Sequence, residues 1–73
     1  MPVTRQNAAA IFTYHAPDAD QINKLRLVRD KAHDLADVIL DAVPQCADQQ
    51  AALRLVREAV MTANAAIVLN GEV

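Results

Sequence analysis

At 73 residues the chain is one domain at most, and a chain this short buries only about 60% of its unfolded surface, so it is marginally stable alone. A formal net charge of −2 argues against a protein that coats DNA or RNA, which needs a strong basic excess, while leaving room for a small anionic ligand. With 53% apolar residues, one glycine, three prolines, one tyrosine and one phenylalanine, the composition reads as long helices with short connections.

In chain order, Thr4 to Phe12 reads as a short helix with Thr4 as its N-cap and Ala8, Ala9 and Ala10 favouring helix. So short a helix is unstable in water by itself and needs a surface to lie on; Phe12 is the expected core anchor. Thr13 to Ala19 is a connector, because Pro17 biases Ala16 away from helix. A long helix is expected from about 20 to 43, with Asp20 as N-cap or Asp18 in the same role, and Pro44 ends it. Ile22, Leu25, Val28, Ala32, Leu35, Ala36, Ile39 and Val43 recur at three- and four-residue steps and make one apolar stripe. Asp30, Asp34, Asp37 and Asp41 share another, solvated face. Pro44 to Ala47 forms a turn. A second long helix is expected from about 48 to 70, with Asp48 or Cys46 at its start and Asn70-Gly71 as its stop. Leu53, Val56, Val60, Ala63 and Ile67 make its stripe, widened by Leu55, Ala59, Ala66 and Leu69.

Two long helices joined by a short turn make an antiparallel hairpin. From Ala59 to Leu69 the second helix carries only Thr62 and Asn64 as polar residues. A helix apolar all round is a buried helix, and in so short a chain only another subunit can bury it. Cys46 is alone, so no intrachain disulfide can staple the fold, and one thiol with two histidines makes a structural zinc site a poor fit. The expectation is an all-α fold, a short N-terminal helix plus a hairpin over residues 1–73, assembled into a homo-oligomer. No apolar run reaches the ~18 residues of a membrane span, and the opening MPVTRQN lacks a signal-peptide pattern. A soluble cytoplasmic protein is expected.

Catalysis finds little to work with. The chain has no serine, Cys46 has no neighbouring histidine to act as base, and a single glycine cannot make a phosphate loop. The aspartates at i, i+4 spacing lack an accompanying glutamate or histidine motif. No enzyme, no metal and no cofactor are expected. Four of the seven cations, Lys24, Arg26, Arg29 and Lys31, crowd into eight residues. Lys24 and Lys31 share one side of the helical wheel; Arg26 and Arg29 share another. Lys31, flanked by Leu27 and Val38, sits at the edge of a second apolar surface, where a lysine can hold a phosphate. The plainer alternative pairs Arg26 with Asp30 along the helix and leaves Lys31 as ordinary surface. Phe12-Thr13-Tyr14-His15 gathers both aromatic residues and one histidine just before the basic helix. Tyr14 and His15 are either a platform for stacking bases or packing and capping groups. His33, between the basic cluster and the acidic face, is a surface, interface or site residue.

The hexapeptide Phe12-Thr13-Tyr14-His15-Ala16-Pro17, the tetrapeptide Arg29-Asp30-Lys31-Ala32 and the block from Glu58 to Ile67 stand in an order and at a spacing that resemble the phage anti-CBASS type-two sponge family. CBASS is a bacterial defence that signals with cyclic oligonucleotides. The resemblance spans about residues 11 to 70. It implies a hexamer of helical hairpins that captures cyclic dinucleotides, such as cyclic GMP-AMP, between protomers without hydrolysing them. It also implies separate sites for cyclic trinucleotides in many members. Carried over residue by residue, Tyr14 stacks on a base, Lys31 meets a phosphate, and His33 lies in a stretch near the ligands; His15 and Arg29 belong to the quoted motifs. Thr62 stands where the family often has tryptophan, and Leu69 where it often has arginine. The lost cation weighs against trinucleotide binding more than dinucleotide binding. The competing function is a small oligomeric adaptor acting through its acidic face.

Overall fold

The computed structural model describes residues 2–72. Three helices follow one another: α1 (Ala8–Ile11), α2 (Ala19–Ala42) and α3 (Ala47–Val68), with no strand among the described residues.

Of the stretch read as helix from Thr4 to Phe12 only Ala8–Ile11 is α-helical, and its N-cap is Asn7, with Thr4 opening the turn ahead of it. The Asn7 N–H donates to Thr4 Oγ1 at 3.3 Å, Thr4 N–H donates to Asn7 Oδ1 at 2.6 Å, and Ala8 N–H reaches Thr4 O at 2.9 Å. These reciprocal bonds satisfy donors that a helix start leaves free. α1 packs on neither long helix. Phe12, expected as a core anchor, is 81% exposed. Within one chain the anchor has nothing to bury against.

α2 is built on a full capping box. Asp18 Oδ1 accepts from the Gln21 N–H at 2.8 Å, and Gln21 Oε1 accepts from the Asp18 N–H at 3.0 Å. Of the two aspartates offered for this role, Asp18 is the cap and Asp20 lies in the first turn, where its charge suits the positive end of the helix dipole. No glycine or proline interrupts the helix. It stops at Val43, whose extended backbone is the conformation favoured before Pro44.

The turn is tied by Gln49, the one fully buried polar residue among those described, at 3% exposed. Its side-chain amide donates to the orphan Val43 carbonyl at 3.2 Å. Cys46 is the α3 N-cap, with an exposed thiol that makes no capping bond; it is not the buried apolar residue a lone cysteine usually is. α3 closes in a Schellman motif. Gly71 N–H donates to Ala66 O at 2.9 Å and Asn70 N–H to Ile67 O at 3.2 Å. Asn70 (φ 52°) and Gly71 (φ 76°) both take the left-handed conformation, so asparagine, not glycine, occupies the first left-handed position.

Leu25, Val28, Ala32, Ala36 and Ile39 of α2 face Leu53, Val56, Val60, Ala63 and Ile67 of α3, all half-buried. No apolar residue is fully buried among those described. The accessible surface is 5700 Å², against about 4400 Å² for a compact monomer of this mass. The radius of gyration is 15.2 Å, against roughly 11 Å for a compact chain of this length. The fold is two layers thick in one direction only, and both broad faces of the hairpin are open.

Candidate nucleotide-binding surfaces

The antiparallel hairpin has two broad faces, one on each side of the α2–α3 seam. Ala32, Val56 and Val60 line grooves on both. The first groove, about 420 Å³, is bordered by Arg29 and His33 of α2 and by Arg57 and Met61 of α3. The second, about 500 Å³, is bordered by Lys31 and floored by Val28, Leu35, Leu55, Ala59 and Ala63.

The sequence-derived residues therefore divide into three places. Arg29 and His33 meet in the first groove, one helical turn apart. Lys31 lies on the opposite face, because two residues along a helix are turned by about 200°. Tyr14 and His15 lie on the connector and border neither groove. Lys31 sits roughly 18 Å along α2 from Ala19, at ~1.5 Å per residue, and no hydrogen bond or ion pair links it to Tyr14 among the described residues.

The basic cluster is only loosely paired. Lys24 meets Asp20 at 3.0 Å, and Lys31 reaches Asp34 only at 4.0 Å, with both side chains mostly solvent-exposed. An exposed pair at that range holds the lysine weakly. His33 lies 3.6 Å from Asp37. Among the described residues no ion pair joins Arg26 to Asp30, the partner expected in the plainer alternative. Asp30, Asp34, Asp37 and Asp41 are all exposed.

The connector is more ordered than its lack of regular structure suggests. Thr13 Oγ1 donates to the Ala9 carbonyl, and His15 Nε2 donates to the Ala10 carbonyl at 2.6 Å. Between them Tyr14 is 84% exposed, and its hydroxyl bonds to nothing among the described residues. Phe12 and Tyr14 thus carry two bare rings just after α1, a helix that packs on neither α2 nor α3.

Three residues escaped the sequence reading. Gln21, besides its capping role, donates from its side-chain amide to Ile67 O at 3.1 Å and to Asn70 Oδ1 at 3.2 Å, tying the start of α2 to the end of α3. The only available signal was a glutamine three residues after Asp18, the spacing of a capping box. Arg57 joins Arg29 across the first groove, which only the helix register reveals. Asn64 Oδ1 is buried without a hydrogen-bond partner among the described residues.

No group of three or more His, Cys, Asp or Glu is placed to hold a metal ion among the described residues. No helix among them is long and apolar enough to cross a membrane. The family model described as Acb2/Tad1, hairpin domain, matches residues 5–68. No curated protein and no solved structure matches the chain.

Proposed function

The chain belongs to the Acb2/Tad1 hairpin-domain family, and from that membership we propose that it sequesters cyclic dinucleotide messengers, such as cyclic GMP-AMP, without cleaving them. The family is one of cyclic-oligonucleotide-binding phage sponges, binding proteins rather than enzymes. In this reading the captured signal is withheld from CBASS in the cytoplasm of the infected cell.

The observation that carries the reading is the state of Tyr14, an aromatic ring 84% exposed beside the equally bare Phe12, in the connector that follows α1. A ring offered to solvent costs apolar exposure unless something stacks on it. Nucleobases do so, at about 1–3 kcal/mol per base. Lys31, weakly held by Asp34 at the rim of an apolar groove, supplies a cation for a phosphate.

Because Tyr14 and Lys31 lie apart along one chain, the proposed site is made between chains. The open apolar faces and the surface excess of roughly 1300 Å² over a compact monomer support a homo-oligomer, which we take to be a hexamer. Two-fold related copies bring two Tyr14 rings and two Lys31 cations to a ligand that has two bases and two phosphates. Arg29 and His33 occupy the other groove and belong to a separate contact. If a cyclic trinucleotide binds as well, that contact is the place for it, although Leu69 adds no charge near the α3 end.

Calorimetry with a panel of cyclic di- and trinucleotides tests the proposal. Binding in the nanomolar range is expected for a dinucleotide; if nothing binds tighter than micromolar, the reading fails. Ligand released by heating should return chemically intact, whereas cleaved product would mark an enzyme. Tyr14→Ala and Lys31→Ala should each weaken binding at least tenfold, in line with about 1.5–3 kcal/mol for a bond to a charged group, while the assembly stays intact by sedimentation.

A further inference from the structure

We propose that Thr13 and His15 are positioning residues, whose task is to hold Tyr14 in its outward pose before any ligand arrives. This rests on the reading of Tyr14 as the stacking ring, and it moves His15 from a contact with ligand to an action through its neighbour.

The last turn of a helix leaves carbonyls without intrahelical donors. In α1, Phe12 N–H serves the Ala8 carbonyl at 2.9 Å. The next two carbonyls, of Ala9 and Ala10, are taken by side chains: the Thr13 hydroxyl and the His15 ring. Both residues therefore turn back toward α1. The two bonds themselves fix the side of the connector on which Thr13 and His15 lie. Tyr14 is the residue between, and its exposure of 84% agrees. The ring is thrown outward by its two neighbours.

The device suits this location. α1 gains nothing from packing on its own hairpin, and a four-residue helix does not persist in water. Without local bonds the connector would sample many poses, and ordering them on binding would reduce affinity. The His15 bond fixes a donor at Nε2, because a carbonyl oxygen only accepts.

The test uses the full chain with Thr13→Val, which removes the hydroxyl at nearly constant shape, and His15→Phe, which keeps a ring but removes the donor. His15→Gln restores a donor. Tyr14 is the only tyrosine, and there is no tryptophan, so intrinsic fluorescence anisotropy reports this one ring without ligand. Thr13→Val and His15→Phe should lower the anisotropy, and His15→Gln should recover much of it. Each of the first two should weaken cyclic dinucleotide binding about 3- to 10-fold, as expected for one hydrogen bond, with helicity and assembly unchanged. In a Tyr14→Ala background both losses should vanish. Unchanged anisotropy in both variants overturns the proposal, as does a His15→Phe loss that persists in full without Tyr14, which would make His15 a direct contact. If no cyclic nucleotide binds at all, the sponge reading fails while the anisotropy still decides the positioning role.

Discussion

Gln21 is the side chain through which the hairpin holds its open end, and replacing it separates two functions. Its carbonyl oxygen completes the α2 capping box, and its amide nitrogen donates to Ile67 O and Asn70 Oδ1 at the end of α3. Gln21→Glu keeps an oxygen for the Asp18 N–H and loses both donors. At about 1 kcal/mol per bond the loss is about 2 kcal/mol. A carboxylate in the first turn gains about 0.5 kcal/mol from the helix dipole. The net expectation is destabilisation by about 1.5 kcal/mol. Gln21→Ala also forfeits the bond to Asp18 N–H and should cost about 3 kcal/mol. At roughly 4–8 °C per kcal/mol for a domain of this size, Tm should fall by about 6–12 °C for the glutamate and twice that for the alanine. Thermal unfolding should be followed by circular dichroism at one fixed protein concentration, since Tm of an associating protein depends on it. Hydrogen exchange of the Gly71 amide, bonded to Ala66 O, should quicken in both. A glutamate variant as stable as the parent would refute the tether and leave Gln21 as a capping residue only.

Leu55, 60% exposed on the face that also carries Lys31, should tolerate Leu55→Glu in a lone hairpin but not in an assembly; sedimentation should show smaller species, and a native sedimentation coefficient would argue against that face as a subunit contact. Gln49→Ala frees the Val43 carbonyl and empties a buried site, so denaturant titration should register a loss of about 1–3 kcal/mol. Asn70→Val puts a β-branched residue at φ 52°, where it is strained, and should cost more than Asn70→Gly in the same titration.

Much of the fold was legible in the sequence because its signals are local and periodic. The stripe from Leu25 through Ile39, the break at Pro44 and the Asn70-Gly71 stop each depend on neighbours within a few residues, and periodicity survives any detail of tertiary packing. The all-round apolar character of α3 likewise announced that one hairpin could not cover it, and the absence of any fully buried apolar residue among those described agrees. Local rules also misled. Asp20 and Asp18 look equivalent as caps until Gln21 selects Asp18 by closing the box. Phe12 reads as core by composition, yet a ring is buried only where something lies opposite it, and α1 lies against nothing in its own chain.

The candidate site was legible as residues but not as geometry. Arg29, Lys31 and His33 look like one cluster in sequence, and the helix turns them onto two faces, each completed by α3 residues such as Arg57 or Leu55 that no local pattern connects to them. The bonds from Thr13 and His15 back to α1 arise from a chain reversal that residue type alone does not specify. Sequence by itself determined the two long helices and, within a residue or two, where they end, because backbone propensity and apolar spacing act over a turn or two. Only the tertiary structure decided which side chains share a surface, because that depends on the register between two helices and is set by the packing of their seam and the glutamine ties at its two ends.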